Sequence, residues 1–360
     1  MIEMHLKWQE HFDRKLPFVL YRKPSSSQLI SVLQQNDTLC FVENFQEKGF
    51  VFAPFDGEKI VLIPANQSQI VVTSLGQAIS KEVPFQNDEK EDETAKSRHI
   101  NLVQKAIDAI EKSEFNKVVL SRKETILLTQ FELFKVFQKL LNAYPSAFAY
   151  CFYHPQIGLW LGAFSEQLLY AKQQKFQTMA VAGTQLYEEN STVIWKEKEI
   201  EEQRMVTDFI QSNLSKLSSE LTISNPYTLR AGNVVHIKTD INGVFKTSIQ
   251  LKEVLSVLHP TPAVCGFPKE VAKDFILKNE EHNRDYYSGF LGEMNCNFES
   301  NEVETDLYVN LRCMQIEINS ESNTNLVHLY VGGGITKDSN AEKEWLETVN
   351  KAKTIKNILN

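Results

Sequence analysis

Near its C-terminus the chain carries three glycines in a row, Tyr330-Val331-Gly332-Gly333-Gly334-Ile335. They do not make a GxGxxG fingerprint, because Lys337 stands where the third glycine would fall. The run reads either as a tight turn or as a strand end whose bare backbone N–H groups let an anion approach. In the closing helical pattern, Glu344, Glu347 and Lys351 fall at i, i+3 and i+7, on one face. Such a stripe is ordinarily a solvated face with an internal ion pair. Residues 196–204 (KEKEIEEQR) repeat the pattern with Glu199, Glu201 and Glu202. Two helices each offering a carboxylate could share a Mg²⁺, which takes oxygen ligands and leaves positions for a ligand's own carboxylate. Spacing alone does not say that they meet. In the run LHPTPAVCG (258–266), two prolines forbid helix and stiffen the loop that carries His259, a structural or a functional histidine.

Several elements must position these groups. Residues 1–84 alternate short apolar runs with turn residues, the pattern of strands. Residues 85–98 (FQNDEKEDETAKSR) are charged and read as a solvated loop dividing that β-rich part from residues 99–360. Ile100, Val103, Ala106, Ile107 and Ile110 then mark a helix face. Strands are expected over 117–128, 148–153, 158–163, 306–318 and 326–331, with a hairpin loop at 319–325. Helices are expected over 131–141, 196–218, 269–278 and 341–359. Because hairpin-like strand pairs recur, a largely antiparallel sheet with outer helices is favoured over a doubly wound parallel one.

The 360 residues allow one large domain or two. Hydrophobic residues at 42% and charged residues at 23% suit a globular protein with a sizeable core. A formal charge of −8 argues against nucleic acid as a bulk electrostatic partner. No apolar stretch is long enough for a membrane span, and no apolar segment follows a basic start as in a secretory leader. Five cysteines without a CxxC pair read as buried, reduced thiols. The expectation is a cytoplasmic protein.

Nine segments, taken in order, resemble the chorismate-utilising enzymes, and among them the isochorismate synthases. They are FNKVVLSR (115–122), LGAFSEQLL (161–169), MAVAGT (179–184), KEIEEQRMV (198–206), LHPTPAVCG (258–266), RDYYSGFLG (284–292), LYVNLRC (307–313), YVGGGI (330–335) and EWLETVNKA (344–352). The resemblance covers about two-thirds of the chain; residues 1–84 match loosely. It implies a single α+β chorismate-binding domain, an antiparallel β-sandwich flanked by helices. It also implies a Mg²⁺-dependent isomerase in which water attacks C2 of chorismate while the C4 hydroxyl departs. Lys117 matches the water-activating base, which must be held neutral to act, and Glu166 the general acid, which must be held protonated. Glu202 and Glu347 match the metal ligands, with Glu344 beside them. Arg312 and Lys351 match contacts to substrate carboxylates; Gly183, Thr184, Gly332, Gly334, Tyr287 and His259 match residues lining the substrate. Two positions depart from the family: Phe164-Ser165 where Ser-Pro usually precedes the acid, and Gln203 where His is common.

Within the family, Lys117 and Ala182 point to water, where relatives that use ammonia carry Gln at the first position or a nucleophilic lysine at the second. No glutaminase partner is therefore expected, and the family inclines toward monomers. The alternatives are a salicylate synthase, which goes on to eliminate pyruvate, and a chorismate-binding protein without turnover. Menaquinone supply is preferred over siderophore supply as the route served.

Overall fold

A computed structural model of the chain describes residues 2–75, 92–129, 131–187, 193–231, 234–318 and 324–359. Its framework is two sheets. The nine-stranded one runs Gly266–Phe267, Lys117–Leu128, Asn325–Ile335, Cys313–Glu317, Gly158–Phe164, Phe148–His154, Phe18–Arg22, Gln28–Gln34, Ser68–Ser74. In the ten-stranded one the order is Ser218–Ile223, Val234–Phe245, Lys175–Leu186, Gln167–Lys172, Glu304–Val309, Phe290–Met294, Gly49–Ala53, Val61–Pro64, Cys40–Phe41, with Tyr227–Ala231 also paired to Val234–Phe245. Every described pairing is antiparallel. Strands from the N-terminal 74 residues sit in both sheets.

Alternation of side chains along each strand gives each sheet two apolar faces. The inner faces meet in an aromatic layer that includes Tyr21, Phe52, Phe152 and Trp160. Phe52 of one sheet lies 4.5 Å from Phe152 and 5.9 Å from Trp160 of the other, ring centre to ring centre. The outer faces are covered by helices. α1 (Ile2–Asp13), α2 (Glu93–Glu111), α3 (Leu133–Ala143), α4 (Glu197–Leu217), α5 (Leu251–Leu258), α6 (Lys269–Asn279) and α7 (Ala341–Lys356) follow one another along the chain. α1, α3 and the end of α7 bury Trp8, Phe137 and Ile355 on the first sheet. α4 and α5 bury Val206, Ile210 and Leu255 on the second. α2 and α6 close over Val118 and Leu120. This is the helix-flanked antiparallel sandwich expected from the sequence. No helix among the described residues is long and apolar enough to cross a membrane.

Three expectations change. The charged run 85–98 is not all loop: its residues up to 91 lie outside the described residues, and α2 begins at Glu93. Asp92 caps that helix, accepting from the N–H groups of Thr94 and Ala95, both at 3.0 Å. Within the run that read as loop, residues 93–98 are the solvated first turns of a helix. Residues 306–318 are not one strand. The chain leaves the ten-stranded sheet after Val309 and enters the nine-stranded one at Cys313. Between them Asn310 turns its bonds to the 286–289 turn: its Nδ2 donates to Tyr286 O (2.8 Å) and its N–H to Gly289 O (2.8 Å). Arg312 follows with φ 46°, left-handed backbone that continues no strand. The N-terminus opens with α1, unforeseen in a region read as strands. Of the expected hairpin loop at 319–325, residues 319–323 lie outside the described residues.

Candidate active site

The cavity lies where the chain passes twice between the sheets. One passage is Ser165-Glu166, between strands Gly158–Phe164 and Gln167–Lys172; the other is Asn310–Arg312. They are tied together by Val309 N–H donating to Glu166 O at 2.9 Å. Glu166 and Arg312 thus arrive as neighbours from distant sequence, both lining a cavity of about 200 Å³. Its walls also take in Gly183 and Thr184, the glycine run 332–334, and the first turns of α4 and α7.

The glycine run is strand, not turn. Gly332, Gly333 and Gly334 pair with Ser121, Leu120 and Val119 of Lys117–Leu128. A Cβ at Gly334 would fall 2.6 Å from Glu202 Oε1 and 3.3 Å from Lys117 Cε. A Cβ at Gly332 would fall 2.7 Å from the Tyr287 hydroxyl. The absent side chains are what lets two helices and a tyrosine close on one strand.

α4 begins at Glu197, with Glu199 accepting the Lys196 N–H at 3.0 Å. That start sits against the other sheet: a Cβ at Gly183, where φ is +70°, would lie 3.0 Å from Glu199 Cβ. α7 is capped by Asn340, which accepts the Lys343 N–H at 3.1 Å. It is held to the Lys117 strand by Arg122, whose Nε donates to Thr348 Oγ1 at 2.8 Å while its guanidinium lies 4.6 Å over Trp345.

Three acid–lysine pairs result. Lys117, with no solvent exposure, places Nζ 2.8 Å from Glu202 Oε1. The contact is close but poorly angled, so Nζ has no aligned hydrogen-bond acceptor. Lys198 meets Glu344 at 3.1 Å and Lys351 meets Glu347 at 2.7 Å. Lys351 also donates to Gly332 O at 2.8 Å. Burial pushes the Glu202 carboxyl up, but Lys117, Lys198 and Lys351 outweigh it and its pKa falls below the ordinary value. Glu344 moves the other way, raised by burial against the pull of Lys198.

Glu166 has no such partner. Burial raises its pKa to about 7, and the charge of Lys117 only tempers the shift. Protein packs closely around it, yet it keeps partial solvent contact through the cavity. Arg312 is the uncompensated cation: burial lowers its pKa, and no carboxylate among the described residues offsets the effect. A guanidinium that lines a cavity with no carboxylate of its own suits the carboxylate of a ligand.

Lys351, Glu202, Glu344, Glu347, Tyr287, Gly183, Thr184, Gly332 and Gly334 all line the cavity with Glu166 and Arg312. Lys117 stands directly behind Gly334 and reaches the cavity through Glu202. His259 does not line it. It occupies the C-terminal cap of α5, its Nε2 3.2 Å from Phe55 O and its ring edge-on to Phe290. Burial lowers its pKa to about 3, so it stays neutral. The stiff loop instead presents Ala263 and Val264. Two lining residues went unseen in the sequence. Lys198 sits inside a motif that was noticed, where attention went to the acids. His236, a lone histidine in a strand, had no signal; its Nδ1 lies 3.0 Å from Gly183 O and 3.2 Å from Thr184 Oγ1.

Three carboxylates thus gather around the glycine run, Glu202 against Gly334 and Glu344 and Glu347 against Gly333. A Cβ at Gly333 would lie 3.6 Å from Glu344 Oε2 and 3.8 Å from Glu347 Oε1. Oxygen donors only, they suit magnesium by chemistry. With each acid turned to its lysine, no three metal-ligating groups among the described residues lie close enough to hold an ion.

The cavity in this helix-flanked antiparallel sandwich is thus lined by Arg312, which has no carboxylate partner among the described residues, and by lysine-paired acids. The family profile "Chorismate binding enzyme" matches residues 22–360, and the chain belongs to that family. It is 29% identical to the isochorismate synthase EntC of Escherichia coli over 210 residues, 56% of this chain and 51% of the relative. It is 27% identical to E. coli MenF, also an isochorismate synthase, over 72% of this chain and 59% of the relative. Anthranilate synthase component 1 of Aeropyrum pernix matches at 27%, over 74% of this chain and 61% of the relative. The chain therefore spans about half to three-fifths of the length of these relatives. The solved structure of E. coli MenF superposes with a TM-score of 0.77 at 20% identity, covering 96% of this chain and 89% of that one.

Proposed function

We propose that this chain converts chorismate to isochorismate, with water as the nucleophile and magnesium as cofactor. The observation that carries the reading is a cavity-lining carboxyl, Glu166, whose pKa is raised to about 7, with the buried Lys117 amine just behind the wall at Glu202. A proton acceptor for the attacking water and a proton donor for the departing hydroxyl are what the exchange of one hydroxyl for another requires. In its neutral amine form, freed from Glu202 and with its proton given up to solvent, Lys117 takes a proton from the water that attacks C2. The ring double bonds shift, and Glu166 gives its proton to the departing C4 hydroxyl, which leaves as water. Arg312 and Lys351 hold substrate carboxylates, and the bare backbone of Gly332 and Gly334 admits the ring. Glu202, Glu344 and Glu347 would hold the Mg²⁺, which supplies positive charge to a substrate carboxylate.

Isochorismate synthases and anthranilate synthases both stand among the relatives, so membership of the family does not choose between them. The lysine at 117 favours water over ammonia, since ammonia carries its own basic lone pair. The test is product analysis of the purified protein with chorismate and Mg²⁺. Isochorismate is expected, and its loss on adding EDTA. Salicylate with pyruvate, anthranilate in the presence of ammonium, or unchanged chorismate would each overturn the reading. Independently of turnover, calorimetry should find Mg²⁺ binding that Glu347→Gln weakens.

A further inference from the structure

Behind the cavity wall lies a second ion pair that the proposed chemistry does not use. Arg284 and Glu280 are both about 2% exposed and meet at 2.6 Å and 2.8 Å, Nη2 to Oε1 and Nε to Oε2. A pair so deeply buried is weak ground for stability, because desolvation offsets most of the attraction. Its other bonds show what it holds.

Strand Gly266–Phe267 pairs with Val118 and Lys117, and the ladder reaches one step further, with Val119 N–H donating to Cys265 O at 2.7 Å. There the partner chain bends away. The N–H groups of Val264 and Cys265 turn inward to Thr261 O, at 3.1 Å and 3.0 Å, and can donate nothing to the strand. The divergence opens the cavity between Val119 and Val264, which both line it. Arg284 fills the gap: Nη2 donates to Val119 O at 2.6 Å and Nη1 to Val264 O at 2.9 Å. Glu280 grips the same strand two residues on, accepting from the Ser121 N–H at 2.7 Å and from its hydroxyl at 3.0 Å. Lys117, Val119 and Ser121 share one face of the strand by its two-residue period.

We propose that Arg284 and Glu280 are positioning residues: the planar guanidinium spans the two diverging backbones and fixes where the Lys117 amine stands relative to substrate. This inference rests on the proposed turnover of chorismate. A lysine ammonium is a point donor and cannot bridge two carbonyls and a carboxylate in one plane. Arg284→Lys should therefore lower kcat about tenfold to a hundredfold while KM for chorismate changes less than about threefold, since the carboxylate contacts at Arg312 and Lys351 are untouched. Added guanidinium ion should restore part of the kcat of Arg284→Ala. Glu280→Gln, which keeps an acceptor for Ser121 but loses the charge, should fall between parent and Arg284→Lys. Rates are read as chorismate consumption, well below each variant's melting temperature, so a folding loss is separated from a positioning loss. Folded variants with the parent's kcat and KM would overturn this inference alone. A parent that consumes no chorismate would overturn the proposed function and this inference with it.

Discussion

Two clusters of lysine and carboxylate differ in their surroundings: the one at the glycine strand lines a cavity, and the one between the sheets lies within aromatic packing. Between the sheets, Lys23 meets Glu293 at 2.5 Å and Asp306 at 3.8 Å. Tyr21 donates to Glu293, and Gln167 and Tyr308 donate to Asp306 at 2.7 Å and 3.1 Å. Burial disfavours the charge on Lys23, but Glu293 and Asp306 outweigh it and raise its pKa. One lysine is shared there by two carboxylates that hydroxyl and amide donors also hold, and rings such as Phe148 and Tyr308, 4.5 Å apart, pack around it. At the glycine strand Glu202, Glu344 and Glu347 are paired, but among the described residues Glu166 has no cationic bond and Arg312 no carboxylate partner. What marks a site is the charge left over beside empty space, where a ligand can complete the balance.

The contrast breaks most sharply at Lys117. Lys117→Ala should cut turnover by about 10³ with little change in KM, as expected for loss of a general base. A variant with parental turnover would reduce Lys117 to the status of Lys23, a packed cation.

Glu166 gives the next largest effect. Its carboxyl is protonated below its pKa of about 7, so the rate should decline as pH rises through that value. Glu166→Gln should lose about 10² in kcat and should no longer show that limb of the profile. Because the folded-state pKa is raised, the parent loses stability as pH climbs from the ordinary carboxyl range through about 7. The glutamine variant should match the parent's melting temperature near pH 4 and exceed it near pH 8. An unchanged pH–rate profile in the variant would remove Glu166 from the chemistry.

Lys23→Met should leave turnover per folded molecule unchanged and lower stability by about 3–5 kcal/mol, because Glu293 would stay buried without a counter-charge. Chemical denaturation with parallel rate measurement separates the two. Lost turnover in a folded Lys23→Met protein would erase the distinction between the regions.

Much of this site was readable before any coordinates, for a physical reason. Segments such as FNKVVLSR and YVGGGI each combine a strand pattern with a residue that strand formation does not need, a buried lysine or bare glycines. The antiparallel sheet with outer helices followed from recurring hairpin-like apolar runs, and the sandwich from the resemblance to the chorismate-utilising enzymes. What stayed hidden depends on contacts between distant segments. The strand break at Asn310–Arg312 is driven by bonds to the 286–289 turn, which no local pattern records. His259 sits in a stiff loop as read, but its ring turns to Phe55 O and away from the cavity, a choice made by tertiary packing. Lys198 and His236 reach the cavity only because α4 and the Val234–Phe245 strand fold against Gly183.

The central claim is that water, activated at Lys117, supplies the oxygen of the product. Incubating the protein with chorismate and Mg²⁺ in ¹⁸O-labelled water and reading the product by mass spectrometry tests it directly. Isochorismate carrying one ¹⁸O, at C2, is the predicted result. Isochorismate without the label, or no isochorismate at all, would contradict it.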